Sequence, residues 1–109
     1  MTDTTKVLAQ SNPSVTTLTD AYTVPAATTT VISTITVANR SATPTSFRIS
    51  VAVAGAADNN KQYLYYDVAI PGNDTFATTI GVTLATTDVV RVYATSATLS
   101  FNIFGVEVT

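Results

Sequence analysis

The side chains that usually carry chemistry are nearly absent from this 109-residue chain. It has no His and no Cys. That removes the commonest general base and metal ligand, the thiolate nucleophile and any disulfide framework. Hydroxyls are abundant, with 23 Thr and 8 Ser, but a hydroxyl nucleophile needs an adjacent base. Lys6 and Lys61, the only lysines, both lie in polar, turn-like sequence. No catalytic set is expected, and no cofactor. Among the seven acidic residues, Asp58-Asn59-Asn60 is the richest oxygen cluster. It lacks the alternating spacing and closing Glu of a calcium loop and reads as an Asx-type turn between strands, so no metal site is expected.

Tyr63-Leu64-Tyr65-Tyr66 is the densest aromatic stretch. Read with a period of two, it turns Leu64 and Tyr66 inward and leaves Tyr63 and Tyr65 outward. Outward tyrosines on a sheet stack on sugars or pack against another subunit. The second use suits Tyr better where one ring end is apolar and the other wet, so Tyr63 and Tyr65 are expected at subunit contacts. Arg40, Arg48 and Arg91 stand singly and are candidate contacts with other subunits or partner proteins, where they are expected to add local salt links. Asp67 is expected to pair with Arg48 or Arg91 across strands.

Composition narrows the partners. Apolar residues make up 46% of the chain, while charged residues make up only 11%, less than half the usual ~25%. A surface of hydroxyls and alanines loses little charge solvation on packing against copies of itself. Five basic residues and a net charge of −2 cannot form the basic stripe that nucleic acid requires. No apolar run reaches the ~18 residues of a membrane span. The start MTDTTKVLAQ lacks the apolar stretch of a signal peptide, so standard secretion is not expected.

The elements that must hold these residues are strands. Phe47, Ile49, Val51 and Val53 alternate with Arg48, Ser50 and Ala52. Val31, Ile35 and Val37 precede them, and Leu64, Val68, Ile80, Val82, Val90, Val92, Leu99 and Phe101 continue the pattern. After Ile103 the apolar phase moves to Phe104, Val106 and Val108, with Gly105 at the change, which predicts a bulge there. Pro71-Gly72-Asn73-Asp74 reads as a type II turn. Seven or eight strands over residues 18–108 predict one all-β domain, an antiparallel sandwich of jelly-roll or Ig-like kind. Residues 1–17 hold few large apolar side chains, chiefly Val7 and Leu8. They are expected as an extended arm lying on a neighbouring subunit or on a different protein, with the sandwich at 18–109.

The segment YTVPAATTTVISTITVANRSATPTSFRISVAVAG resembles a group of small virion proteins of tailed phages, notably cyanophages. The YTVPA opening falls at residues 22–26, the aliphatic strand at 31–41 and the F-R-I-x-V strand at 47–51. NDTFATTIGVTLATTDVVRVYAT and LSFNIFGVEVT are also similar to that group, and the resemblance extends from about Leu8 onward. It implies a particle component without enzymatic activity, located in the virion and assembled in the bacterial host cytoplasm. A low-charge, Thr-rich sandwich fits a capsid decoration (cement) protein best. Such a protein is expected as a homotrimer bound to the major capsid protein or another virion protein. Neck, collar, baseplate and tail-fibre parts come next, and a carbohydrate-binding host-recognition module after them.

Overall fold

A computed structural model describes all residues, Met1–Thr109. Eight strands form two antiparallel sheets: β1 (Asp3–Ser11), β2 (Thr19–Thr23), β3 (Thr29–Asn39), β4 (Thr45–Ala52), β5 (Tyr63–Ile70), β6 (Thr75–Leu84), β7 (Val89–Ala94) and β8 (Leu99–Val108). One sheet has the order β1-β8-β3-β6 and the other β2-β7-β4-β5. Every connection except β4 to β5 passes from one sheet to the other, which is the strand order of a jelly roll. The expected sandwich is therefore observed, in its jelly-roll form.

Threonine explains much of this. Its β-branch favours strands, and its hydroxyl is satisfied wherever the strand faces water or a neighbour. Most inward positions are aliphatic or aromatic, with buried Thr30 and Asn39 of β3 among the exceptions. A cluster of 15 buried residues includes Ile32, Ile35, Val37, Phe47, Ile49, Val90, Val92, Leu99, Phe101 and Ile103. Phe47 on β4 reaches across the sandwich, its ring centroid 5.2 Å from Phe76 and 6.1 Å from Phe101. Such tilted and edge-on contacts add to the area the rings bury.

Several inward assignments made from alternation alone are corrected by bulges. Along β3 the register shifts between Ile32 and Thr34, so Ile32 is buried and Val31 faces out. Along β5, Tyr66 and Asp67 together oppose the single residue Arg48 on β4, and Asp67 has φ 51°. A further shift falls between Tyr63 and Tyr65, and Leu64 there is 43% exposed rather than in the core. Val51, Val68 and Val82 pack on the core only partly buried, and Ile80 lies outside it.

The segment expected as a separate arm is also corrected. Residues 3–11 form β1, the edge strand beside β8, and the N–H groups of Thr2 and Thr109 each donate to the other's carbonyl. Backbone pairing, which needs no apolar side chains, holds β1 in place. Leu8 packs on the core, while Val7 points away and is 48% exposed.

Gly105 marks a real irregularity, but the extra residues sit beside it. Leu8 on β1 and Ser33 on β3 are the bulged positions, while β8 alternates without interruption. Gly105 and Glu107 continue the inward phase of Phe101 and Ile103; Phe104 and Val106 line a shallow outer groove with Thr5, Val31 and Ser33. A Cβ at Gly105 would lie 2.2 Å from the Val31 carbonyl oxygen and 3.0 Å from Ile32 Cα. The turn before β6 is similar. Its positive φ falls on Asn73, not Gly72, and Gly72 instead makes room for the Ala42 carbonyl. Gly105→Ala should therefore destabilise the fold by about 1–3 kcal/mol through backbone displacement. Urea denaturation giving wild-type stability would contradict the close approach.

Glu107 ties three strands together. Its carboxylate accepts from Tyr22 Oη on β2 at 2.6 Å and from Lys6 Nζ on β1 at 3.0 Å, and Tyr22 Oη lies 2.8 Å from Thr30 Oγ1. Burial, and then the Glu107 contact, push the Tyr22 phenol up to about 12. The Tyr22 hydrogen bond, followed by that of Lys6, holds Glu107 below the usual carboxylate range. A lowered carboxyl stabilises the fold above its unfolded pKa of about 4.3 and loses that contribution as pH falls through the folded value. The raised phenol acts at the other end, stabilising below pH of about 10 and losing its effect as pH climbs further. Glu107→Gln should lower the melting temperature at pH 7 by roughly 4–8 °C, an effect of ~1 kcal/mol. The gap should close as pH approaches about 3; a gap independent of pH, measured by thermal melts, would rule the carboxylate out as its source.

Candidate functional site

The outer face of the β2-β7-β4-β5 sheet gathers the strongest recognition chemistry of the molecule. Arg48 and Tyr93 are register partners on β4 and β7 and point outward together. The bulge on β5 brings Tyr66 and Asp67 beside them. The Arg48 guanidinium lies 4.1 Å from the Tyr66 ring centroid and 4.4 Å from that of Tyr93, stacked against both. Asp67 accepts from Arg48 Nε at 2.6 Å and from Nη2 at 3.3 Å. Tyr63 meets Tyr66 edge-on at 5.0 Å and donates its hydroxyl to Asp58 at 2.9 Å. Asn60, Tyr63 and Tyr66 line a shallow groove at the end of this platform.

Electrostatics here act on geometry more than on stability. Asp67 is the main reason the Arg48 guanidinium is harder to deprotonate than usual. Partial burial, followed by the Asp58 hydrogen bond, raises the Tyr63 phenol. Exposed ion pairs contribute about 0–1 kcal/mol, and exposed cation–π contacts roughly 0.5–1 kcal/mol each. Their consequence is order. Arg48 and the two rings are held in one arrangement before any partner arrives, so less rotamer entropy is lost on binding. Tyr66 remains 55% exposed. The platform thus offers π faces and edges, a fixed cation, carboxylates and phenolic hydroxyls.

The expected contact residues separate on this map. Tyr63 is outward, as read from the sequence, and Arg48 pairs with Asp67, one of the two alternatives. Tyr65 is corrected: its ring packs inward, 5.3 Å from Phe76 and 6.4 Å from Phe47, and its hydroxyl lies 3.0 Å from Thr78 Oγ1. Tyr66, assigned inward, is the exposed one. Arg91 is a strut of the fold, with Nε donating to Asp20 and Nη1 and Nη2 to the carbonyls of Ala56 and Gly55. Arg40 donates to the Ala97 carbonyl, away from the platform. Val7 and Leu8 lie on the other sheet. Asn59, in the loop weighed as a calcium site, caps a short 3-10 turn by accepting the Lys61 N–H. Tyr93 was missed, although the inward Val90 and Val92 place it outward by alternation.

Comparison with protein-family models, curated proteins and solved structures finds no match. The fold and this platform therefore carry the functional argument together with the residues themselves.

The bulge has a direct test. Tyr65→Ala should cost about 2 kcal/mol or more by opening the aromatic cluster around Phe47, whereas Tyr66→Ala should stay within about 1 kcal/mol. The reverse ranking in chemical denaturation would place Tyr66 in the core and remove the platform.

Proposed function

We propose that this protein is a non-enzymatic structural component of a tailed-phage particle, a decoration (cement) protein that docks on the assembled capsid lattice through the Arg48–Tyr66–Tyr93 platform. The observation that carries this reading is the preordered arginine between two tyrosines, set on a surface otherwise dominated by small hydroxyl and methyl groups. Tyr and Arg are the residues that concentrate binding energy at protein interfaces, and ordering them in advance raises the net gain. The resemblance of residues 22–55 to phage virion proteins supports the same reading. Jelly rolls serve in viral capsids and in lectins alike, so the fold by itself does not choose the role. Repetition over a symmetric lattice lets many modest contacts hold firmly.

A second reading rests on the groove of Asn60, Tyr63 and Tyr66, where a saccharide could stack on a tyrosine ring. Arg48 already covers one face of Tyr66, which leaves less ring for a sugar and favours the protein partner.

Particle binding tests this directly. Arg48→Ala and Tyr66→Ala, folded as judged by circular dichroism, should each lower occupancy on capsids lacking the protein by about tenfold or more. Electron cryo-microscopy should show many copies on the capsid lattice with this face toward the shell. Copies confined to the neck, baseplate or tail tip would replace the decoration role. Glycan-array binding abolished by Tyr63→Ala would replace the protein partner with a sugar.

A further inference from the structure

The two sheets end in four edges, and three of them are blunted. β1 carries Asp3 and Lys6 and bulges at Leu8. β2 is only five residues long, with Asp20 and a register shift beside it. β5 has two shifts and Asp67. These are the usual protections against strand-to-strand association. β6, TFATTIGVTL, is ten residues long without a charge or a proline, and it ends its sheet with one side of its backbone unpaired by any strand. Its register against β3 shifts between Thr79 and Val82, yet its own alternation is unbroken from Thr75 to Leu84.

We infer that β6 is a self-pairing edge: two copies of this chain join β6 to β6, antiparallel across a twofold axis at Thr79, into one eight-stranded sheet. The side chains fit this register without conflict. On the outer face Thr79 meets Thr79 of the second copy, Ala77 meets Gly81 and Thr75 meets Thr83. On the inner face Phe76 meets Val82 and Thr78 meets Ile80. Aromatic–β-branched and Thr–Thr pairs are among the favourable cross-strand neighbours, and no charges are opposed. Ile80, which lies outside the core cluster, gains a neighbour in the pair. The unpaired backbone row of β6 exchanges water for amide partners along its length, the mode by which sheet edges take up added strands. An isologous contact of this kind closes at two copies. The threefold association implied by the resemblance would use a different surface.

Thr79 is exposed and sits on the proposed axis, so a charge there opposes itself. The full chain should scatter light as a dimer, twice 11.4 kDa. Thr79→Lys and Thr79→Glu should each weaken association by about tenfold or more while keeping the wild-type circular dichroism spectrum. An equimolar mixture of the two variants should recover the dimer, because Lys and Glu then face each other. A wild-type monomer throughout the micromolar to millimolar range would overturn the pairing. So would a trimer without a dimer, variants that associate as the wild type does, or a mixture that stays monomeric.

Discussion

The contact of Phe47 with Phe76 and Phe101 is the interaction on which the rest of the molecule depends. β4 belongs to one sheet, β6 and β8 to the other, and these rings join the two sheets. Tyr65 completes the group from the edge strand β5. For Tyr65 and Val68 both to face inward, the chain between them must hold one residue more than regular pairing allows. The bulge at Tyr66 and Asp67 absorbs it. Asp tolerates the left-handed conformation better than most residues, and its carboxylate is then aimed at Arg48. Core packing and the outer platform therefore share a cause.

The two outer faces divide the chemistry. On the β1-β8-β3-β6 sheet the outward rows read Thr5, Val106, Val31 and Thr83, then Val7, Phe104, Thr34 and Thr79, then Gln10, Asn102, Thr36 and Ala77. None of these carries a charge; Asp3, at the β1 end of the adjoining row with Val108 and Thr29, is the one charged residue in this outward phase. The opposite face holds Asp20, Arg91, Arg48 and Asp67 in paired arrangements. A neutral hydroxyl face can meet another surface with little desolvation cost, whereas the platform supplies orientation through directional contacts.

The jelly-roll order places the last strand, β8, between β1 and β3. Its bonds to β1 span almost the whole sequence, and the Lys6–Glu107–Tyr22 network joins both sheets near the chain ends. Pairings this distant in sequence close large loops before they gain energy, which places such folds among the slower two-state folders. Gly105 is the local condition for it, because both neighbouring strands press toward β8 at that level.

Alternation alone determined that this chain is an all-β sandwich. It also identified the inward faces where strands run straight, as in Phe47 and Ile49 or Leu99, Phe101 and Ile103. The scarcity of charge was legible as well, and so was Asp67 as a partner for an arginine. A period of two, however, presumes that no residue is inserted, and a bulge shifts every side chain beyond it to the other face. Whether Val31 or Ile32, and Tyr65 or Tyr66, turns inward is decided by the neighbouring strand and by the rings already in the core. The same holds for β1, whose few apolar residues hide a strand that backbone pairing with β8 maintains. Local composition set the kind of structure; the tertiary pairing, being non-local, decided which tyrosines face the outside.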